Sequence, residues 1–294
     1  MKWAERCFMS LRRSSVPLQV EVVDNGSTDG TADFILENFP EVNLTQSSVN
    51  LGFGKANNIG IENAYLKGAD FFYLMNQDAW IYEDSVKEML EAYQEYPEKE
   101  KIGILSPIHL DGSEKKLDIF FERYLSRNSH NNRFLSDALL NCTKKIYEID
   151  FVNAAHWMLT KKTIEEIGGF NTYFFHYSED YEYVQRIMYF RKKILICTRS
   201  FVVHDGKQTF GKTNQINARR VQREQRYLDP GIHFEKSLVY REFLKDILLL
   251  FLKGKFSRAN AELKEFLYQK KRIHEILSAR ETISKKQHAF LNIK

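Results

Sequence analysis

The sequence predicts an α/β fold: a mostly parallel central sheet with flanking helices, followed by a helical C-terminal extension. Three observations carry this. Up to about residue 105, short apolar runs alternate with polar turns and helical stretches, the strand–turn–helix order of a parallel sheet. One run, Phe71-Phe72-Tyr73-Leu74-Met75, is apolar throughout, as a strand covered on both faces must be. Beyond Ala218 the chain becomes basic and helical, with no strand pattern. The expected division is therefore 1–217 for the α/β domain, in two parts (about 1–105 and about 106–217), and 218–294 for the extension.

Taken in order, residues 2–14 read as a helix, with Trp3, Cys7 and Leu11 four apart on one stripe, closed by Pro17. Leu18 to Val23 is a β-branched strand that runs into Asp24-Asn25-Gly26-Ser27-Thr28-Asp29-Gly30-Thr31. A helix from Ala32 to Phe39 ends at Pro40, and Val42 to Thr45 is a short strand. The loop Asn50-Leu51-Gly52-Phe53-Gly54-Lys55-Ala56-Asn57-Asn58 leads into a helix to about Lys67. The apolar strand at 71–75 then ends on Asn76-Gln77-Asp78. A helix is expected at 85–96 and a strand at 102–105.

From Pro107 to Ile149 the pattern blurs, and Asn128 to Arg133 reads as a polar loop. Phe151 to Leu159 is a strand, followed by a short helix and the Gly168-Gly169-Phe170 turn. Next come an aromatic run (Tyr173, Phe174, Phe175, Tyr177), Ser178-Glu179-Asp180 and a helix to about Tyr189. Strands near 194–197 and 201–203 lead to His204-Asp205-Gly206. Helices are expected at 238–252 and 259–276.

Composition excludes several classes of function. A net charge of +4 is too mild to argue for a nucleic-acid partner. Cys7, Cys142 and Cys197 are scattered, with no CxxC pair, which argues against a zinc site or a disulfide framework and fits a reducing compartment. The longest apolar run near the end, Ile247 to Leu252, is far too short to span a bilayer, and Met1 to Arg6 lacks a signal peptide's apolar core. A soluble, cytoplasmic protein is expected.

Four constellations carry chemistry. Asp24, at a strand end, has a carboxylate that can accept from the imide N–H of uracil or thymine, and the small residues after it let backbone approach a ligand; the other reading is an Asx-type turn. Asp78 ends the apolar strand where ligands of open α/β sheets bind, and its oxygens suit Mg²⁺ or Mn²⁺. Glu179 and Asp180 open a helix, where acids are also favoured by the helix dipole with Ser178 as N-cap. An aromatic wall beside them would raise a carboxyl pKa, as a general base requires. His204, at another strand end, is either a metal ligand or a hydrogen-bonded structural residue.

Together, Val23-Asp24-Asn25-Gly26-Ser27-Thr28-Asp29-Gly30-Thr31, the Asn50–Gly60 loop, Asn76-Gln77-Asp78, Gly168-Gly169-Phe170 through Glu179-Asp180, and His204 resemble the family 2 glycosyltransferases of GT-A (Rossmann-like) fold, especially their bacterial rhamnosyltransferase-like branch. The resemblance runs to roughly residue 215. It implies a nucleotide-binding part (about 1–105) and an acceptor part (about 106–217). Asp24, Asn25, Ser27, Asn50, Gly52, Lys55, Asn58 and Asn76 would line the nucleotide pocket. Asp78 and His204 would hold Mg²⁺ or Mn²⁺, Asp180 would be the base with Glu179 beside it, and Trp157 would shape the acceptor side. Members of that family normally begin with another hydrophobic strand, central in the sheet, and this sequence starts inside the helix that follows it. Asn171 and Glu182 also stand where Asp is common.

The resemblance thus implies an inverting transfer of a sugar, rhamnose for instance, from a dTDP- or UDP-sugar to a polysaccharide or lipid-linked acceptor. The other reading is an N-terminally truncated, inactive remnant or carbohydrate-binding protein. Leu244, Ile247, Leu248, Phe251 and Leu252 form an apolar stripe flanked by Lys245, Lys253, Lys255 and Arg258. That stripe fits packing on the catalytic domain or a second subunit; the alternative is peripheral contact with the inner face of the plasma membrane.

Overall fold

The computed structural model describes residues 2–206, 215–284 and 287–293. The chain divides into two compact units, one of residues 1–211 with 287–294 and one of residues 212–286. The tail after residue 286 therefore belongs with the first unit, not with the helical extension.

The first unit is mixed α/β. Helix α1 (Ala4–Arg12) precedes β1 (Glu21–Asp24), α2 (Thr31–Asn38), β2 (Asn43–Gln46), α3 (Phe53–Leu66), β3 (Phe71–Met75), β4 (Ala79–Ile81) and α4 (Ser85–Glu95). Then come β5 (Ile102–Leu110), α5 (Ile119–Asn132), α6 (Phe134–Leu139), β6 (Ile146–Ile149), β7 (His156–Thr160), α7 (Lys161–Ile167), α8 (Glu179–Tyr189) and β8 (Lys193–His204). The parallel pairing expected of the sheet is made by β1 with β2 and by β5 with β8. Strands β4, β6 and β7 run against their neighbours in a six-stranded sheet ordered β3-β7-β5-β8-β4, with β6 also on β8.

The apolar run at 71–75 is covered on both faces, as its composition requires. Phe72 and Leu74 pack in the cluster that holds Ile61 of α3, whereas Phe71 and Tyr73 pack against the cluster of Met89 and Ala92 of α4. Among the described residues β1 pairs only with β2 and β3 only with β7, so the two sheets are separate. Helix α3 touches both sheets: Gly60 comes against Val23 of β1 and Ile61 against the Phe72 cluster of β3.

The blurred region 107–149 is ordered. Where a loop was expected at Asn128 to Arg133, α5 continues to Asn132. It is held there because Phe121 and Leu125, four apart, are both fully buried. The strand expected from Phe151 begins only at His156, and the two strands expected at 194–203 are one continuous strand, β8.

The second unit holds α9 (Gln215–Leu228), α10 (Lys236–Leu252) and α11 (Phe256–Ser284). Val239, Phe243 and Ile247 are the buried positions of α10. The expected apolar stripe therefore splits: Ile247 points inward, while Leu244, Leu248, Phe251 and Leu252 are exposed. No helix among the described residues is long and apolar enough to cross a membrane.

Candidate functional site

The site assembles beyond the carboxyl end of β3. There the chain turns through Asn76-Gln77-Asp78 into β4, which pairs antiparallel with the end of β8, Ala79 opposite His204. The Asp205 N–H donates to the Asp78 carbonyl at 2.8 Å, which clamps the two strand ends together. As a result, His204 Nε2 lies 3.7 Å from Asp78 Oδ1, with both side chains partly open to solvent. Burial lowers the His204 pKa, but the carboxylates of Asp118, Asp78 and Asp205 outweigh it and hold the imidazole above its ordinary value. One carboxylate and one imidazole, with no third His, Cys, Asp or Glu completing a cluster among the described residues, form a donor set that leaves most positions of an octahedral ion open. That suits Mg²⁺ or Mn²⁺ shared with water and phosphate oxygens, so the residues fit such an ion.

Two further residues fix this corner, and sequence reasoning missed both. His156 is fully buried, its pKa pushed down to about 3 by that burial, so it is neutral. Its Nε2 lies 3.1 Å from the Val203 carbonyl, which can only accept, so Nε2 carries the proton and Nδ1 accepts from the Tyr73 hydroxyl at 2.7 Å. It thereby joins β3 to β8 one residue before His204. Asp118, 1% exposed, lies on the other side of the imidazole, with Oδ2 3.4 Å from His204 Nδ1. Its one sequence signal was an aspartate directly before an apolar helical run.

The loops after β1 and before α3 lock onto each other. Asn25 Nδ2 donates to Asn50 Oδ1 at 3.0 Å, and Asn25 Oδ1 accepts from the Leu51 N–H at 2.7 Å. Asn50 Oδ1 also accepts from the Gly52 N–H at 2.9 Å. Asp24 is buried and its Oδ1 accepts from the Ser27 N–H at 3.2 Å, so the Asx-type turn is made. Ser27 and Lys55 are exposed, and Asn76 is half-buried with its N–H on the Ala155 carbonyl. Gly52 has φ +82°, and a Cβ there would lie 2.2 Å from the Phe175 carbonyl oxygen. Only glycine allows that approach, which brings this loop onto the segment that carries the acid pair.

Within that segment Tyr177 (φ 65°) and Ser178 (φ 80°) are both left-handed, a costly backbone directly before Glu179 and Asp180. Ser178 makes no side-chain cap, contrary to the expected N-cap, because its left-handed backbone is not that of a capping residue. Burial pushes the Glu179 carboxyl up to about 7, with the Asp180 charge adding to it. Burial likewise pushes Asp180 up to about 6, against hydrogen bonds from the backbone at Tyr181, Asp180 and Ala154. Of the expected aromatic run, Phe174 is buried and Tyr173 half-buried, whereas Phe175 and Tyr177 face solvent. Tyr124 of α5 is close enough to Asp180 and Asp118 to feel both charges, and it meets Phe151 edge to face, which in turn meets Tyr181. Asp180 of the acid pair and Asp118 of the Asp118–His204–Asp78 row thus both act on Tyr124.

Two expected site residues are placed elsewhere. Trp157 is fully buried, stacked with Phe170 and tilted against Tyr183, so it is a core residue and offers no face to an acceptor. Asn58 is 3% exposed and committed: its Nδ2 donates to the Phe170 and Phe290 carbonyls and its Oδ1 accepts from the Phe170 N–H. It staples the Gly-Gly-Phe turn to α3 and has nothing left for a nucleotide.

Comparison with known proteins agrees with this architecture. The family described as "Glycosyl transferase family 2" matches residues 2–168. An N-acetylglucosaminyl-diphospho-decaprenol L-rhamnosyltransferase of Mycobacterium tuberculosis (strain CDC 1551 / Oshkosh) is 25% identical over 206 residues, 62% of this chain. The chain spans 65% of the length of that curated relative. Among solved structures, GalNAc-T7 with UDP, GalNAc and Mn²⁺ has a TM-score of 0.53 at 13% identity, covering 77% of this chain and 47% of the other, a likeness of fold alone. The mannosyltransferase PcManGT of Pyrobaculum calidifontis, in complex with GDP-Man and Mn²⁺, has a TM-score of 0.49 at 16% identity, covering 78% of this chain and 59% of the other.

Proposed function

Because the chain belongs to glycosyl transferase family 2, we propose that it is an inverting glycosyltransferase that moves a sugar from a dTDP- or UDP-sugar to a glycan or lipid-linked acceptor. Rhamnose is the sugar we favour, since the mycobacterial relative is by name a rhamnosyltransferase. The observation that carries the reading is the pairing of Asp78 with His204, 3.7 Å apart, beside a second acidic site whose carboxyls titrate high.

In this mechanism Asp24 accepts from the imide N–H of the base, and the Asn25–Asn50 lock holds the loops around the nucleotide with Ser27, Gly52, Lys55 and Asn76. Asp78 and His204 would hold Mg²⁺ or Mn²⁺. When bound, that ion supplies Lewis-acid stabilisation to the departing diphosphate, so no carboxylic acid is needed as proton donor. Asp180 takes the proton of the acceptor hydroxyl. The acceptor oxygen bonds to the anomeric carbon as the bond from that carbon to the diphosphate oxygen breaks, and the nucleoside diphosphate leaves. Glu179, its carboxyl pushed up to about 7 by burial, carries less than a full negative charge beside the base near neutral pH.

The test is transfer from UDP- and dTDP-sugars with Mn²⁺, together with calorimetric titration of UDP and dTDP. Activity lost in both Asp180→Asn and Asp78→Ala supports the mechanism; unchanged turnover in both refutes it. Absence of any nucleotide binding would favour the carbohydrate-binding reading.

For location, we propose cytoplasmic residence with peripheral contact to an anionic membrane face through the second unit. Leu244, Leu248, Phe251, Leu252 and Phe256 are exposed around the α10–α11 turn. Lys245, Lys253, Lys255 and Arg258 surround them against the single acid Asp246, a charge balance complementary to anionic lipid. Flotation with phosphatidylglycerol vesicles should carry the protein upward, and Leu248→Ser with Leu252→Ser should leave it at the bottom.

A further inference from the structure

We propose that Asp118 is the positioning residue of the metal site: it holds the Nδ1–H tautomer of His204 and so leaves the Nε2 lone pair for the ion. This rests on the reading of Asp78 and His204 as metal donors.

The geometry assigns Asp118's two oxygens to separate tasks. Oδ1 accepts from the N–H groups of Phe120 (2.9 Å) and Phe121 (3.0 Å), which caps α5. Oδ2 lies 3.4 Å from His204 Nδ1, an ion-pair distance, and that buried nitrogen has no hydrogen-bond partner of regular geometry. The opposite nitrogen, Nε2, faces Asp78. His204 therefore stands between a sealed carboxylate and an open one. Gly206 leaves room for the ring, since a Cβ there would come within 2.9 Å of Cε1.

A neutral imidazole has one N–H and one lone pair, and the partner of one nitrogen decides the role of the other. A carboxylate can only accept, so Asp118 selects the proton at Nδ1 and the lone pair at Nε2. Buried carboxylates that orient a ligating histidine in this way typically change metal affinity by 10- to 100-fold when altered. The placement also explains why an acid is kept in full burial on α5, where the cap alone could be made by Ser, Thr or Asn.

That last point supplies the test. Asp118→Asn keeps an oxygen for the α5 cap but turns an N–H toward His204 Nδ1, which forces the proton to Nε2. Three measurements follow: thermal melting, ¹⁵N chemical shifts of His204 in metal-free protein at a pH where the ring is neutral, and titration with Mn²⁺ alone. The expected result is a near-unchanged melt, an Nδ1–H tautomer in the wild type that becomes Nε2–H in the variant, and a 10- to 100-fold weaker Mn²⁺ affinity. Asp118→Ser, which caps but offers nothing to His204, should weaken Mn²⁺ less than Asp118→Asn. An Nε2–H tautomer in the wild type overturns the proposal whatever the metal does. Equal Mn²⁺ affinity in wild type and Asp118→Asn overturns it while leaving the metal pair standing. A wild type that takes up no Mn²⁺ overturns the metal pair itself, and this assignment with it.

Discussion

The side-chain amide of Asn171 donates to Glu182 Oε1 at 3.3 Å, with both residues sealed from solvent. Glu182 is also paired with Arg186 (3.0 Å), whose remaining N–H groups donate to the Ile167 and Gly169 carbonyls. The two positions at which this chain departs from the common Asp of its family are therefore partners. One guanidinium neutralises one carboxylate, and an amide supplies the extra donor. Asn171→Asp would bury a second carboxylate against the first, leaving a charge without compensation. The expected cost is about 3 kcal/mol or more, read as a lower midpoint in urea with an unchanged slope.

The acid pair predicts two opposite pH effects. Transfer needs Asp180 ionised, so kcat/KM should fall as pH drops below about 6. Stability should move the other way. Both carboxyls titrate above their ordinary values, so the folded chain binds their protons more tightly than the unfolded chain does. That contribution is present below the unfolded pKa values near ~4 and is lost as pH rises through about 6 and about 7. Glu179→Gln should therefore melt with the wild type at low pH and above it at pH of about 8. A higher melting temperature at low pH alone would contradict the sign.

Asn58 separates stapling from binding. Asn58→Ala removes three hydrogen bonds, two buried at Phe170 and one partly buried at Phe290, and should cost about 2–4 kcal/mol. Nucleotide affinity of the folded fraction, measured by calorimetry well below the melting point, should be unchanged. A selective loss of affinity without loss of stability would restore Asn58 to the nucleotide pocket.

Gly52 couples the two halves of the site. A methyl group there meets the Phe175 carbonyl at 2.2 Å and sits on a left-handed backbone. Gly52→Ala should cost about 1–3 kcal/mol and lower transfer more than it weakens nucleotide binding, because the displaced segment is the one that leads to Asp180. Steady-state kinetics separates the two: kcat should fall further than KM rises.

Much of the fold was legible in the residues. The strand at 71–75 announced itself because burial on both faces permits no polar position. The glycine turns and strand-end acids were visible because their chemistry is local: a left-handed φ, or a carboxylate at the last residue of an apolar run. Residues 107–149 were not legible. Helix α5 opens on an apolar stretch (Ile119, Phe120, Phe121, Tyr124, Leu125) but turns polar from Ser126 on, and β6 is held in place by its pairing to β8.

Sequence by itself determined the α/β order, the two strand ends that carry Asp24 and Asp78, and the family. Only the tertiary structure decided which polar residues face one another. It joined Asp78 to His204 across more than a hundred residues through the β4–β8 ladder, brought Asp118 in behind the imidazole, and withdrew Trp157 and Asn58 into the interior. The reason is physical: a local pattern reports which face of an element is apolar. Whether a polar side chain is a ligand or a staple depends on the partner that packing sets against it.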